Sequence, residues 1–489
     1  MFNWLKNISD KVKSLNVSVE NYKEETNNQT LPTIAYVNKA KKFLDESKFL
    51  QAKDILNKAL LITEKDALVY KYLGICEECL GNLDAALLMY KKSSVLNPQD
   101  KNIWHKLGLV QVNKKEFEEA EKSFEEANKV APMNTDIQTG WGMALFKQKK
   151  YIEAHEKFIN ALKINRYNFS ALLLASIVEV RIGKLDDADK KLSFLISTNP
   201  NEGCFYEYAN LLFIKEDYDS AINYAKKSLL RNPNMLPAYL LLGKIYSIKF
   251  DYQNATNFFA QALDQKLDGP ILFQEWADSL VRLYRFNEAK EFYKKVLEYD
   301  FNCINAQKGL ALCYAQMGEI DKVQELLPVL ADQNGLEEVN GVLEFHYGNF
   351  ESAINFFKEA LLKNEKGCYT YLNLAKCYEK LNNNTMVVDS YDKLIKFNEK
   401  FLFAYIEYAK YLISQGEYKD AQRKLRRAAN IDTENNQEVL NLLFYTCYKL
   451  VKDDICEYNV KEAINIANKI EDFNYPEYKE ELENKLKNM

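Results

Sequence analysis

The sequence is short of three things that would point to a particular chemistry. It has no run of ~18 apolar residues, the length a helix needs to cross a bilayer, so no segment reads as a membrane span. It has little net charge: 65 Lys and Arg stand against 70 Asp and Glu, a formal −5. A chain so balanced exerts no long-range pull on polyanions, which sets nucleic acid aside as a partner. It has only three histidines, His105, His155 and His346, far apart and without a Cys or Ser nucleophile pattern beside them. A catalytic site needs such groups assembled in one place, so neither an enzyme nor a cofactor is expected.

Cysteine is present but not in a framework. Nine residues, an odd number, run from Cys76 to Cys456. The first 16 residues place Phe2, Leu5, Ile8, Val12 and Leu15 at helical spacing but lack the continuous apolar core of a secretory leader. Reduced thiols and a cytoplasmic location are the expectation. Cys76 and Cys79 could set two thiolates on one helix face for metal or redox exchange. No second pair accompanies them, and Cys313 and Cys377 recur in the register of Cys76. A small buried side chain explains that register, and no metal site is expected.

What the chain does have is a period. At 489 residues it exceeds what one core usually organises, yet 47% hydrophobic and 28% charged residues allow burial throughout. Ala52, Ala86, Ala120, Ala154 and Ala188 follow one another at intervals of 34 residues. The series continues through Ala221, Ala255, Ala289 and Val323, shortens to 30 at Ala353, and resumes through Val387 and Ala421, with a looser unit at Ala463. Twelve residues before each comes a second small residue: Ala40, Gly74, Gly108, Gly142, Ser176, Ala209, Gly243, Ala277, Ala311, Gly341, Ala375 and Ala409. Two small residues per unit, one per helix, are what two antiparallel helices need where their backbones approach closely.

The unit containing Trp104, Leu107, Gly108, Ala120, Phe124, Ala127 and Pro132 resembles the tetratricopeptide repeat, which has this period and pattern. Gln111 stands where the repeat has tyrosine, but Tyr246, Tyr314 and Tyr378 keep it, and Pro98, Pro200 and Pro233 repeat the closing proline. The resemblance covers residues 33 to 470. It implies an all-α fold, an α-α superhelix of about 12 to 13 helix pairs, right-handed, with a concave face used for binding. The organisation expected is a leader helix and polar linker at 1–32, an N-terminal array at 33–332, a C-terminal array at 333–470 and a capping helix at 471–489. Pro328 falls where a second helix should run, and an interior proline removes a hydrogen bond. A short helix and a change of pitch are expected near residues 326 to 340, and Lys452 to Tyr458 reads as an insertion before the last unit.

Other motifs yield to plainer readings. Gly140-Trp141-Gly142 opens like a dinucleotide loop, but Leu145 stands where a third glycine belongs and no strand precedes it. Arg423-Lys424-Leu425-Arg426-Arg427 is a dense basic run, yet consecutive helical residues point in different directions and Leu425 faces inward.

Within the repeat, residues packing on the partner helix leave a second stripe at i, i+4 and i+7, and the resemblance places it on the concave side. It carries Leu109 and Val112, then Met143 and Phe146, then Leu173, Ile177 and Val180, then Tyr206, Asn210 and Phe213, then Leu240 and Lys244. An apolar trough of this kind marks a groove for protein or peptide segments. The expected function is thus a non-enzymatic interaction scaffold. The alternatives are a membrane-proximal assembly factor tethered through residues 1–16 at the cytoplasmic face of a membrane, and a non-catalytic relative of repeat-bearing glycosyltransferases. A clamp for chaperone C-terminal carboxylates resembles a Lys and Asn pair on one first helix. Here those places read Val37 with Lys41, Lys71 with Ile75 and Leu372 with Lys376, which disfavours it.

Overall fold

The computed structural model describes residues 33 to 487, apart from 332, 365–366, 432–435, 454–456 and 472–473. The leader at 1–16, the polar stretch at 17–32, and residues 488 and 489 lie outside the described residues. These hold 27 helices and no strand, paired along the chain into an α-α superhelix. A typical pair has a first helix of 13 residues, such as Lys101–Asn113, and a second of 14, such as Phe117–Val130.

Recurrent local chemistry starts and stops these helices. The carboxylates of Asp66 and Asp100 and the amide oxygens of Asn134, Asn168 and Asn201 cap successive first helices by accepting from backbone N–H groups two or three residues on. Such a cap satisfies donors that the helix itself leaves unpaired. Twelve of the first helices then stop at a residue in the left-handed region: Ser47, Lys115, Lys149, Glu216, Phe250, Tyr284 and Asn382 occupy it, as do five glycines. The Glu116 N–H donates to the Gln111 carbonyl at 2.9 Å and the Lys150 N–H to that of Leu145 at 3.0 Å. This closure from the third residue after the helix turns the chain back.

The periodic small residues sit under rings. Phe124 and Phe158 of the second helices lie against Gly108 and Gly142 of their own first helices, and Tyr90, Phe259 and Phe357 against Gly74, Gly243 and Gly341. Ala52, Ala86, Ala120, Ala154 and Ala188 are fully buried. First helices also touch the next first helix, whereas consecutive second helices make at most marginal contact. First helices therefore line the inner side of each array.

Two compact units are distinguished, residues up to Ala238 and from Tyr239 onward, and residue 332 falls inside the second. In that unit Pro328 lies within Ile320–Leu330, a second helix of only 11 residues, and the first helix that follows, Glu337–His346, has 10. The 17-residue helix Gln437–Asp453 is followed by Glu457–Ala467 and Pro476–Lys487. Tyr478 of the last helix stacks on Tyr448 at 4.3 Å, and Leu482 is buried.

Candidate partner-binding groove

In the first unit the inner strip is made by the helices Lys101–Asn113, Thr135–Lys147, Phe169–Arg181 and Glu202–Ile214. Leu109, Met143, Phe146, Val180, Tyr206, Asn210 and Phe213 are half-buried there. Val112 and Ile177 keep only a small exposed fraction, and Leu173, 2% exposed, belongs to the core. Two of the rings also hold the repeat together: Phe146 packs on Tyr151 at 5.6 Å and Phe213 on Tyr218 at 6.0 Å, each across the turn to its second helix. Leu240, half-buried, and Lys244, exposed, lie in the second unit.

The described hydrogen bonds of the first unit join residues of the same or adjacent repeats. Glu179, 1% exposed, accepts from Lys191 Nζ at 2.7 and 2.9 Å and lies 2.9 Å from His155 Nε2. Gln111 and Ser123 bond at the equivalent places one pair of repeats earlier. His105 has its ring against Phe124, and burial, helped by the neighbouring Lys106 charge, pushes its imidazole down to about 4.

The inner side of the second unit is built differently. The Tyr284 hydroxyl donates to Asn373 Oδ1 at 3.0 Å, and its ring stacks on Phe403 at 4.7 Å. Lys376 Nζ lies 5.1 Å from the same ring and 4.0 Å from Glu407, and burial lowers its ammonium pKa. Arg282 covers the Tyr369 ring at 4.9 Å. The Tyr284 to Asn373 bond bridges repeats about 90 residues apart.

The tetratricopeptide repeat profile matches residues 102–134, 203–235, 236–268 and 277–303. These four stretches are tetratricopeptide repeats. A TPR repeat-containing protein of Methanocaldococcus jannaschii is 25% identical over 191 residues, 38% of this chain and 32% of that one. The Hsp70-Hsp90 organizing protein of Triticum aestivum is 23% identical over 247 residues, 48% of this chain and 42% of that one. The chain thus spans a third to two fifths of the length of these two relatives. The crystal structure of a tetratricopeptide repeat protein from Parabacteroides merdae is 19% identical, covering 51% of this chain and 98% of that one with a TM-score of 0.44.

Within the repeats, the remaining motifs find structural partners. Lys41 lies over the Tyr72 ring at 5.1 Å, Lys71 bonds Asp100 at 2.8 Å and Lys376 lies between the Tyr284 ring and Glu407, so all three lysines at clamp-like places are engaged. Cys76, Cys204, Cys313 and Cys377 are buried, which pushes each thiol up to about 12. Gly140 and Gly142 are helical, facing Phe124 and Phe158. In the basic run Leu425 is buried, Arg423 pairs with Asp420, Arg426 with Glu462 at 2.7 Å and Arg427 with Glu399 at 3.8 Å. Lys424 lies 3.5 Å from Asp392 beside a cleft of about 560 Å³.

One buried acid on these helices escaped the stripe pattern. Glu207, 8% exposed, precedes Asn210 by three places on the helix Glu202–Ile214 and thus shares its side of the helix. Burial pushes its carboxyl up to about 7, against a lowering influence from Arg181. The signal in the sequence was an acid inside the segment Cys204 to Ile214, whose other residues are apolar or aromatic except Asn210.

Proposed function

We propose that the first unit binds an apolar protein segment along the inner strip from Leu109 to Phe213, as a non-enzymatic scaffold of the cytoplasm. The observation that carries this reading is the contrast between the two inner surfaces. Leu109, Met143, Phe146, Val180, Tyr206 and Phe213 lie half-buried along one strip, while in the second unit the equally half-buried Tyr284 and Phe403 are tied to one another and Tyr284 to Asn373, across repeats. A half-buried apolar strip gains roughly 25 cal/mol for each Å² it removes from water, and Asn210 offers an amide to a ligand backbone. The likeness to an Hsp70-Hsp90 organizing protein supports a protein partner. The engagement of Lys41 and Lys71 argues against a carboxylate clamp at those places.

The test is quantitative capture from source-cell lysate by the wild-type chain and by Phe146→Asp with Phe213→Asp, once both show equal helicity by circular dichroism. Proteins lost from the variant are the groove ligands. Identical captured sets would refute the groove.

A further inference from the structure

Glu207 is a costly residue to place where it is. Its side chain is more than nine-tenths buried, and among the described residues no hydrogen bond or ion pair reaches its carboxylate. Neither oxygen is among the polar atoms sealed from solvent without a partner, so the little surface that remains includes the carboxylate itself. The contrast with Glu179 one repeat earlier is direct: that carboxylate is buried too, but three polar contacts from Lys191 and His155 surround it. A buried ionised group without such compensation is disfavoured by several kcal/mol in general, and unpaired buried polar groups concentrate where a ligand completes them.

The position gives the missing partner its chemistry. Glu207 lies beside Tyr206 and one helical turn from Asn210, both of the proposed strip, whose half-buried Phe146, Val180 and Phe213 are apolar. Arg181, at the end of the preceding first helix, is exposed and lowers the cost of the charge without pairing to it. A cation arriving with the ligand would be attracted in a poorly solvated setting, where the interaction is stronger than in water.

We infer that the segment bound in the first-unit groove carries a lysine or arginine side chain that pairs with Glu207, set among apolar residues that pack on the strip. This rests on the groove reading of the proposed function. Glu207 therefore sets partner choice: an otherwise similar apolar segment without the cation leaves the carboxylate unpaired and binds more weakly.

The experiment pans a phage-displayed library of random 12-residue peptides against the full chain at pH 7.5. Enriched peptides are then synthesised with and without their basic residue, the latter with norleucine in its place, and their affinities measured by fluorescence anisotropy. We expect Lys or Arg within the apolar core of the selected peptides and a loss of tenfold or more on norleucine substitution. That loss should vanish in Glu207→Gln, whereas Arg181→Gln, which removes a competing cation, should enlarge it. Apolar peptides whose binding falls in the Phe146→Asp, Phe213→Asp chain but ignores both the basic residue and Glu207→Gln would overturn the inference and leave the groove standing. Failure to enrich peptides, or binders indifferent to the Phe146 and Phe213 substitutions, would remove the groove and the inference together.

Discussion

Phe158 lies across Gly142 so closely that a methyl group on the glycine would come within 2.6 Å of the ring. The two residues belong to the first and second helices of one repeat, and their contact sets how near those helices approach. Gly142→Ala should therefore destabilise the first unit by roughly 1 to 3 kcal/mol, the usual range for overpacking. Phe158→Leu in the same background should recover part of it, because neighbouring substitutions couple. Ala120→Leu, at the other small position, falls in the same range. Urea unfolding followed by circular dichroism reads all of these, and an unshifted midpoint for Gly142→Ala would contradict the contact.

The Glu179 cluster makes a prediction of larger size. Removing one partner of a buried ion pair costs roughly 3 to 5 kcal/mol, since the other charge is left stranded. Lys191→Met should thus lower the first unfolding transition markedly. Glu179→Leu together with Lys191→Met should return most of the loss. A double variant as unstable as the single one would show that packing of the lysine stem, not charge, was at stake.

Tyr284 separates a hydrogen bond from a ring. Tyr284→Phe leaves Asn373, whose Nδ2 is already sealed without a partner, and should cost roughly 1 to 3 kcal/mol. Tyr284→Ala also deletes the stack on Phe403 and should cost roughly 3 to 5 kcal/mol. Hydrogen exchange is the discriminating readout: amides of the helices Cys368–Lys380 and Leu402–Ser414 should exchange faster in Tyr284→Ala. Acceleration limited to residues next to 284 would mean that the contact across the coil carries no stability.

Two groups in the first unit give opposite pH dependences. The Glu207 carboxyl is raised to about 7, so between an unfolded value near 4.5 and 7 the folded chain holds a proton that the unfolded chain has lost. Stability from this group therefore falls as pH rises through that window and stays low above it. Glu207→Gln should be more stable than wild type at pH 8, by roughly 1 to 3 kcal/mol, and the difference should shrink toward pH 4.5. The His105 ring, lowered to about 4, works the other way: the unfolded chain takes up the proton first, so its contribution is lost as pH falls from about 6.5. Melting curves of wild type, Glu207→Gln and His105→Gln from pH 4 to 8 resolve the two slopes. A Glu207→Gln difference constant across that range would mean that Glu207 titrates normally.

The repeats were readable because their packing rule is local. A glycine at one place and an aromatic ring sixteen residues later, as in Gly108 and Phe124, are complementary volumes within one helix pair, and such pairs recur at the same interval. Pro328 was readable for a similar reason, since a missing N–H acts on its own helix. The burial of Leu173 was less so: it shares the inner-stripe register with Tyr206, and only the side chains of the adjoining repeat decide which of the two is covered. The meeting of Tyr284 with Asn373 could not be read at all. It depends on the pitch accumulated over two intervening repeats, including the shortened helices on either side of residue 335, and small rotations per repeat add into large displacements. Glu207 was passed over because a stripe of apolar spacing gives no place to a single acid.

The contacts of Tyr284 also bear on mechanics. Where bonds join only adjacent repeats, as in the first unit, tension along the chain meets one small interface at a time, and such an array extends like a soft spring. In the second unit a tie between repeats about 90 residues apart puts several interfaces under load together, so that turn of the coil resists stretching until Tyr284 lets go of Asn373 and Phe403. One polypeptide therefore carries a compliant stretch and a stiff one, distinguished by the long-range contacts of Tyr284 and Arg282.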